Sequence, residues 1–262
     1  MPLLKTPAIT LKSRKWGEAD RIVTFYTLRF GKLRGVARGA RRMKSRFGSA
    51  LEPFVSCDLN LFEKPNDTLH RVSQADITET FPALREDLAL MAGAARMSNL
   101  VAAITVDGDP APKIFETLLR GFRSLNEGYD PGMTTLLFQI KLLGLTGFRP
   151  QTDHCAVCGQ GMGVQGGGLG RFSAQAGGLV CDGCTRRRSE RYLFLAPGSL
   201  AFLQQALRMT PEVLNRLKAN GQVRSELEMA IEAYVTVVAG KRLPPVDFLA
   251  AEACEPDYAL KR

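Results

Sequence analysis

Residues 31–46 read GKLRGVARGARRMKSR, with seven Lys or Arg, no acid, and few apolar side chains, all of them small or unbranched but for Leu33 and Val36. Continued as a strand from Gly31, the stretch puts Lys32, Arg34 and Arg38 on one face, with Val36 breaking the row. Leu33 and Ala37 take the other face. Beyond it, Arg41, Arg42, Lys44 and Arg46 predict a basic loop. A strand face and a loop that are both positive make a groove suited to a phosphate backbone. Lys12 and Arg14 extend that surface from an earlier strand. A charge run is by default a solvated face, but nine bases without an acid between Arg21 and Leu51 favour a polyanionic partner.

The flanking sequence is strand-like. ITLKSRK (9–15) alternates Ile9 and Leu11 against Thr10, Lys12 and Arg14. RIVTFYTL (21–28) is β-branched and aromatic. FVSCDLNLF (54–62) alternates Val55, Cys57, Leu59 and Leu61 against Ser56, Asp58 and Asn60. Glycines at 17, 31, 39 and 48 and the Pro65-Asn66-Asp67 cluster punctuate the run. About five short strands predict a small closed barrel or a sandwich over residues 1–80. The single Trp, Trp16, and Phe47 beside Arg46 are candidate stacking platforms for bases, although Trp16 equally suits a barrel core.

The charge is concentrated here. Residues 1–51 hold 13 Lys/Arg against Glu18 and Asp20, whereas the chain of 262 residues has a net charge of only +9. No continuous apolar leader opens the sequence, which predicts a cytoplasmic protein. The most apolar stretch, LALMAGAARMSNLVAAITV (88–106), carries Arg96 at its centre, where a membrane would charge about 2.5–3.5 kcal/mol. It reads as a buried helix of a soluble domain, with no membrane span.

After Phe81-Pro82 the period becomes helical. Ile114, Leu118, Phe122 and Leu125 form one stripe after Pro112. Met133, Leu136, Leu137, Ile140 and Leu143 form another behind the Asp130-Pro131 start signal. Thr210-Pro211 opens a helix that Asn220-Gly221 closes, and Leu227, Ile231, Tyr234 and Val238 stripe the next. The expected organisation is a helical domain over 81–152 and 187–243, an insertion at 153–186, and a tail at 244–262 that is partly mobile.

The insertion carries CAVC (155–158) and CDGC (181–184). Two Cys-x-x-Cys knuckles can close a sulfur tetrahedron on one metal ion, so Cys155, Cys158, Cys181 and Cys184 predict a single Zn2+ site. An iron–sulfur cluster is the rival occupant at this spacing. Four thiolates leave no open coordination position, so the metal is expected to be structural. His154 reads as a bystander, and Arg186, Arg187 and Arg188 as compensation for the negative cluster. Cys57 and Cys254 read as small hydrophobes. The chain has two His and no nucleophile elbow, Walker lysine or H-E-x-x-H motif, so no enzyme is expected. GGGLG (166–170) precedes no helix and is no phosphate loop.

In order along the chain, GKLRGVARGARRMKS, the ALEPF and LNLFE segments, KLLGLTGFRPQTDHCAVCG and the second knuckle resemble the bacterial recombination mediator RecO family. The resemblance implies an α+β architecture: an N-terminal oligonucleotide-binding (OB-fold) barrel, then an α-helical domain with an inserted four-cysteine zinc ribbon. Some members lack the cysteines; here all four are present. It further implies a non-enzymatic role in DNA repair. The protein would bind single-stranded DNA, anneal complementary strands, and with RecR load RecA onto strands coated by single-strand-binding protein, whose C-terminal tail it would grip. It would associate with the nucleoid when DNA-bound. The competing class is an RNA-binding or ribosome-associated basic barrel with a structural zinc ribbon; a zinc-ribbon scaffold that binds mainly protein is a third.

Overall fold

The computed structural model describes residues 2–63, 69–162, 169–210, 217–219 and 221–243. The Pro65-Asn66-Asp67 turn, most of GGGLG, the body of the helix read after Thr210-Pro211, and the tail with Cys254 lie outside the described residues.

Five strands form the N-terminal region: β1 (Leu3–Trp16), β2 (Asp20–Thr27), β3 (Gly31–Ala37), β4 (Ser56–Phe62) and β5 (Leu69–Glu79). They close a barrel in the order β1-β2-β3-β5-β4, which settles barrel against sandwich. All pairings are antiparallel except β3 with β5, where Arg34 faces Leu69 and Val36 faces Arg71 in parallel register. This is an OB-like closure: the one parallel contact removes the last free edge. Val23, Phe25, Leu33, Ala37, Leu59, Leu61 and Val72 fill the interior. Val55, Cys57, Leu59 and Leu61 are all buried as expected; Ser56, expected on the outer side, is buried as well.

Thr10 departs from the expected pattern. It is buried with Ile9 and Leu11, because a β-bulge between Thr10 and Lys12 breaks the alternation and residues 50–55 cover the strand. The Thr10 hydroxyl donates to Ala50 O, and its amide donates to Val55 O.

A helical domain follows. The short α1 (Ala83–Glu86) leads into α2 (Leu88–Ile104), α3 (Pro112–Asn126) and α4 (Pro131–Leu145); α6 (Pro197–Arg208) and α7 (Gly221–Val238) come after the insertion. Asp87 caps α2 by accepting from the amides of Ala89 and Leu90, and Asp130 caps α4 by accepting from Met133 N at 2.6 Å. Helix α4 is buried on nearly every face, as a helix apolar all round must be, and it touches α2, α3, α6 and α7. Arg96 of α2 forms an ion pair with Glu232 of α7, so the charge that argues against a membrane span is spent inside the bundle. No helix among the described residues is long and apolar enough to cross a membrane. Gly221, read as part of a helix stop, is instead the first residue of α7.

Between α4 and α6 lies a three-stranded sheet, β6 (Gly170–Ser173), β7 (Gly178–Leu179) and β8 (Leu193–Leu195), with the single-turn α5 (Asp182–Thr185). Gly178 has no tolerance for a side chain, since an added Cβ would collide with the backbone of Gln151.

Barrel and helical domain meet along a built seam. Ile9, Leu11 and Tyr26, on the outside of the barrel, belong to the helical core rather than to the barrel core. Phe54, at φ +65°, sets its ring edge-on to Phe122 of α3 with centroids 5.7 Å apart. At Gly31, φ is +64° and a Cβ would strike the Asp109 carbonyl, so only glycine lets β3 approach the α2–α3 connection this closely.

Candidate nucleic-acid interface and four-cysteine centre

Strand pairing aligns the basic residues across the outside of the barrel. Lys12 of β1 faces Thr24 of β2, which faces Arg34 of β3. One step along, Arg14 faces Ile22, Ile22 faces Val36, and Val36 faces Arg71 of β5. Lys12, Arg14 and Arg71 are exposed. Arg71 is an addition to the sequence-derived surface. The alternation in LHRVSQA, with Val72 turned into the barrel, is the signal that places it outside.

Partial burial, then the like charges of Lys241, Arg14 and Lys32, hold the Lys12 ammonium below the ordinary lysine range. Lys241 follows α7, so this positive field reaches from the barrel to the helical domain.

Lys32 belongs elsewhere. Its ammonium donates to the carbonyls of Ala102 (2.8 Å) and Thr105 (2.6 Å) and lies 3.1 Å from Asp107 Oδ1. The Lys32 carbonyl in turn accepts from Gly108 N at 3.0 Å. This residue of the predicted basic face is a rivet between barrel and helices, and Arg34 lies beside it, 3.7 Å from Asp107 Oδ2. Nothing in the local pattern of β3 marks that role, because the acceptors are about seventy residues away.

Arg38, Arg41, Arg42, Lys44 and Arg46 are all exposed. Their loop is more ordered than its composition implies. Arg41 Nη1 donates to Gly17 O and Glu18 O at 3.1 and 2.9 Å, its amide donates to Ala19 O, and Gly39 N donates to Asp20 Oδ1. The loop is thereby strapped to the β1–β2 hairpin. Arg46 lies over the ring of Phe47, 4.9 Å from its centroid. Phe47 itself is buried in the barrel core, which removes it as a stacking platform; Trp16 is the exposed one, at 56%.

In the insertion, Cys155, Cys158, Cys181 and Cys184 converge, with their sulfurs all within 4.8 Å of one another. Cys158 and Cys181 Sγ are 3.8 Å apart, and a tetrahedron with Zn–S bonds of about 2.3 Å has edges of about 3.8 Å. Gly159, at φ +74°, turns the first knuckle, which is tied to β7 by Ala156 N donating to Leu179 O. Burial raises the Cys155 thiol, but the amides of Cys181, Cys158 and Val157 aimed at its sulfur outweigh this and bring it down to about 6. Cys184 is pushed up to about 12, chiefly by its hydrogen bonds to the Cys158 and Cys181 sulfurs. Such a set ionises fully only around a cation, and the donors present fit a soft metal ion. Arg171 pairs with Asp182 and Arg188 with Glu190, so two of the nearby cations have carboxylate partners of their own.

The family model described as Recombination protein O N terminal matches residues 1–81, and that described as Recombination protein O C terminal matches residues 85–245. The chain belongs to the RecO family. Among RecO relatives, the "DNA repair protein RecO" of Desulfitobacterium hafniense (strain Y51) is 34% identical over 246 residues, covering 93% of this chain and 88% of the relative. That of Symbiobacterium thermophilum is 33% identical over 250 residues, 95% and 97% of the two chains. That of Myxococcus xanthus is 34% identical over 247 residues, 93% and 95%. The boundary between the two RecO regions falls at the barrel–helix junction, and the C-terminal match runs through the four-cysteine insertion.

Proposed function

We propose that this protein acts in DNA repair as a non-enzymatic recombination mediator in the cytoplasm. It binds single-stranded DNA across the outer face of its barrel and along the strapped loop, through Lys12, Arg14, Arg34, Arg38, Arg41, Arg42, Lys44 and Arg46. Lys32 shapes that face from the seam. The observation that carries the reading is the basic row aligned across the outside of an OB-like barrel, with Lys12, Arg14 and Arg71 exposed in it, in a family whose relatives are named for DNA repair. Cations in such a row recognise the backbone and leave base edges free. Two backbones neutralised on one positive surface can then pair, because the phosphate repulsion opposing annealing is removed.

Zinc at Cys155, Cys158, Cys181 and Cys184 is structural in this reading: four thiolates complete its coordination and it supplies folding energy. The partners follow from the family. RecR would join in loading RecA, and the acidic, apolar C-terminal tail of single-strand-binding protein would dock on the helical domain. A cavity of about 290 Å³ has Tyr129, Met133, Leu137 and Leu217 as its apolar lining, with Lys218 at its edge and Arg224 held there by Asp130 and Glu228; its apolar lining supports that docking.

The deciding experiment is annealing of complementary strands precoated with single-strand-binding protein. Faster annealing with the protein than without it, stimulated by RecR, supports the mediator role. Affinity for RNA above that for single-stranded DNA, with no annealing, would favour the ribosome-associated class instead. Tighter binding to intact than to tail-deleted single-strand-binding protein checks the docking.

A further inference from the structure

Trp16 is the last residue of β1 and stands two residues beyond Arg14 and four beyond Lys12, with no bulge between Lys12 and Trp16. The three side chains therefore share one face of the strand, at intervals of about 6.8 Å. A tryptophan left 56% exposed in a protein with a well-filled barrel is out of place as packing. The position in the barrel interior next to the loop is taken by Phe47, which is 3% exposed. Met43, fully exposed in the strapped loop, adds a second apolar group amid Arg42 and Lys44.

The turn beneath the indole is braced. Trp16 pairs with Asp20 across a three-residue loop, and all three loop carbonyls, of Gly17, Glu18 and Ala19, accept hydrogen bonds from Arg41. Asp20 in turn accepts from Gly39 N. The hairpin tip is thus fixed before any ligand arrives, so a ligand meets little ordering cost there. Arg14 stands two residues away on the same face, Arg41 is bonded to the loop itself, and Arg42 and Lys44 are exposed in the strapped loop, with Glu18 as the exposed acid on the tip. OB barrels use the face of strands 2 and 3 and the first hairpin loop for oligonucleotides, and this is that loop.

We infer that Trp16 is a stacking platform for one unstacked base of single-stranded DNA, with Arg14 and the strapped loop holding the phosphates on either side. The inference rests on the DNA-binding reading above and adds a contact to the base itself, which phosphate-tracking cations do not make. An indole accepts any base face, so the contact is tolerant of sequence.

Trp16 is the chain's one tryptophan, so intrinsic fluorescence reports on it alone. Titration with an oligothymidylate should quench it, with the same midpoint as the anisotropy of a labelled oligonucleotide. Trp16→Ala should weaken binding about 5- to 150-fold, and Trp16→Phe, which keeps a ring, should weaken it less. An abasic deoxyribose-phosphate oligomer of equal length should bind wild type and Trp16→Ala alike. Both variants should melt like wild type, the side chain being exposed. Oligothymidylate binding without quenching, or Trp16→Ala affinity within twofold of wild type, would overturn the stacking role. So would an equal loss on the abasic oligomer, which would make Trp16 a support for the backbone site. If wild type binds neither oligomer, the DNA-binding reading fails first and this inference with it.

Discussion

Lys32 and Asp107 join the barrel to the helical domain across a 3.1 Å ion pair, with the same ammonium donating to two further carbonyls. The lysine side chain is only 13% exposed, so its loss leaves acceptors in a partly dry site. Lys32→Met should therefore cost about 2–3 kcal/mol in denaturant unfolding. Its effect on DNA binding should be smaller than that of Arg14→Ala, because the ammonium is already engaged. A Lys32→Met protein of wild-type stability and much reduced DNA affinity would return the residue to the binding face.

The loop offers a cleaner electrostatic test. Arg41 braces the hairpin and Arg46 covers Phe47, so removing all four loop cations mixes structure with binding. Arg42→Ala with Lys44→Ala should spare the melting temperature. It should flatten the slope of log affinity against log salt by about 1.4, at about 0.7 per lost contact on a single strand. Annealing should slow in parallel, alike for all sequences.

Lys12 predicts a trade between stability and binding. Its folded pKa lies below the unfolded value, so wild-type stability rises with pH from that lowered value up to the ordinary lysine range. Lys12→Met should remove this contribution to the rise, leave the free protein at least as stable at neutral pH, and weaken DNA binding. Parallel denaturation curves at neutral and alkaline pH, with DNA titrations, check the three effects together.

The metal site predicts one Zn2+ per chain by elemental analysis. Cys158→Ala with Cys181→Ala should lose the metal and lower the melting temperature, and a chelator should act on wild type in the same direction. A wild-type protein purified with no stoichiometric metal would remove zinc from the description.

Glu226 of α7 performs a capping task for another helix. Its Oε2 accepts from Ala196 N at 2.7 Å and from Ser199 Oγ at 2.6 Å, at the start of α6, whose own N-cap residue offers no side-chain oxygen. These bonds, the Ser199 hydroxyl first, hold its carboxyl below the usual glutamate range. The stability it supplies is full above the unfolded glutamate pKa and is lost as pH falls through the lower folded one. Glu226→Gln should cost about 1 kcal/mol at pH 7, with the gap to wild type closing in acid.

The parts of the fold legible in sequence are those coded by near neighbours. Cys57, Leu59 and Leu61 show their barrel side by alternation, Asp130-Pro131 marks the start of α4, and the paired knuckles bring four sulfurs together. What sequence hides is the long-range closure. The parallel match of Arg34 with Leu69, the acceptors that claim Lys32, and the segment 50–55 that covers Thr10 each lie about 35 to 70 residues away. Sequence leaves both Trp16 and Phe47 as candidate platforms for the same reason: which aromatic fills a barrel is a matter of volume among all five strands, not of local pattern.

The three-stranded insertion also lowers the cost of closing the helical bundle. Helices α4 and α6 pack together, yet the chain leaves the first at Leu145 and enters the second at Pro197. For an unstructured tether of about 50 residues, bringing those ends together costs about 3.5 kcal/mol of chain entropy, against about 2 for a tether of 10. Once β6 has paired with β8 and the first knuckle with β7, most of the tether is already folded back on itself. The insertion then behaves as a short clasp, and joining α4 to α6 costs about 1.5 kcal/mol less chain entropy than it would with the insertion unfolded.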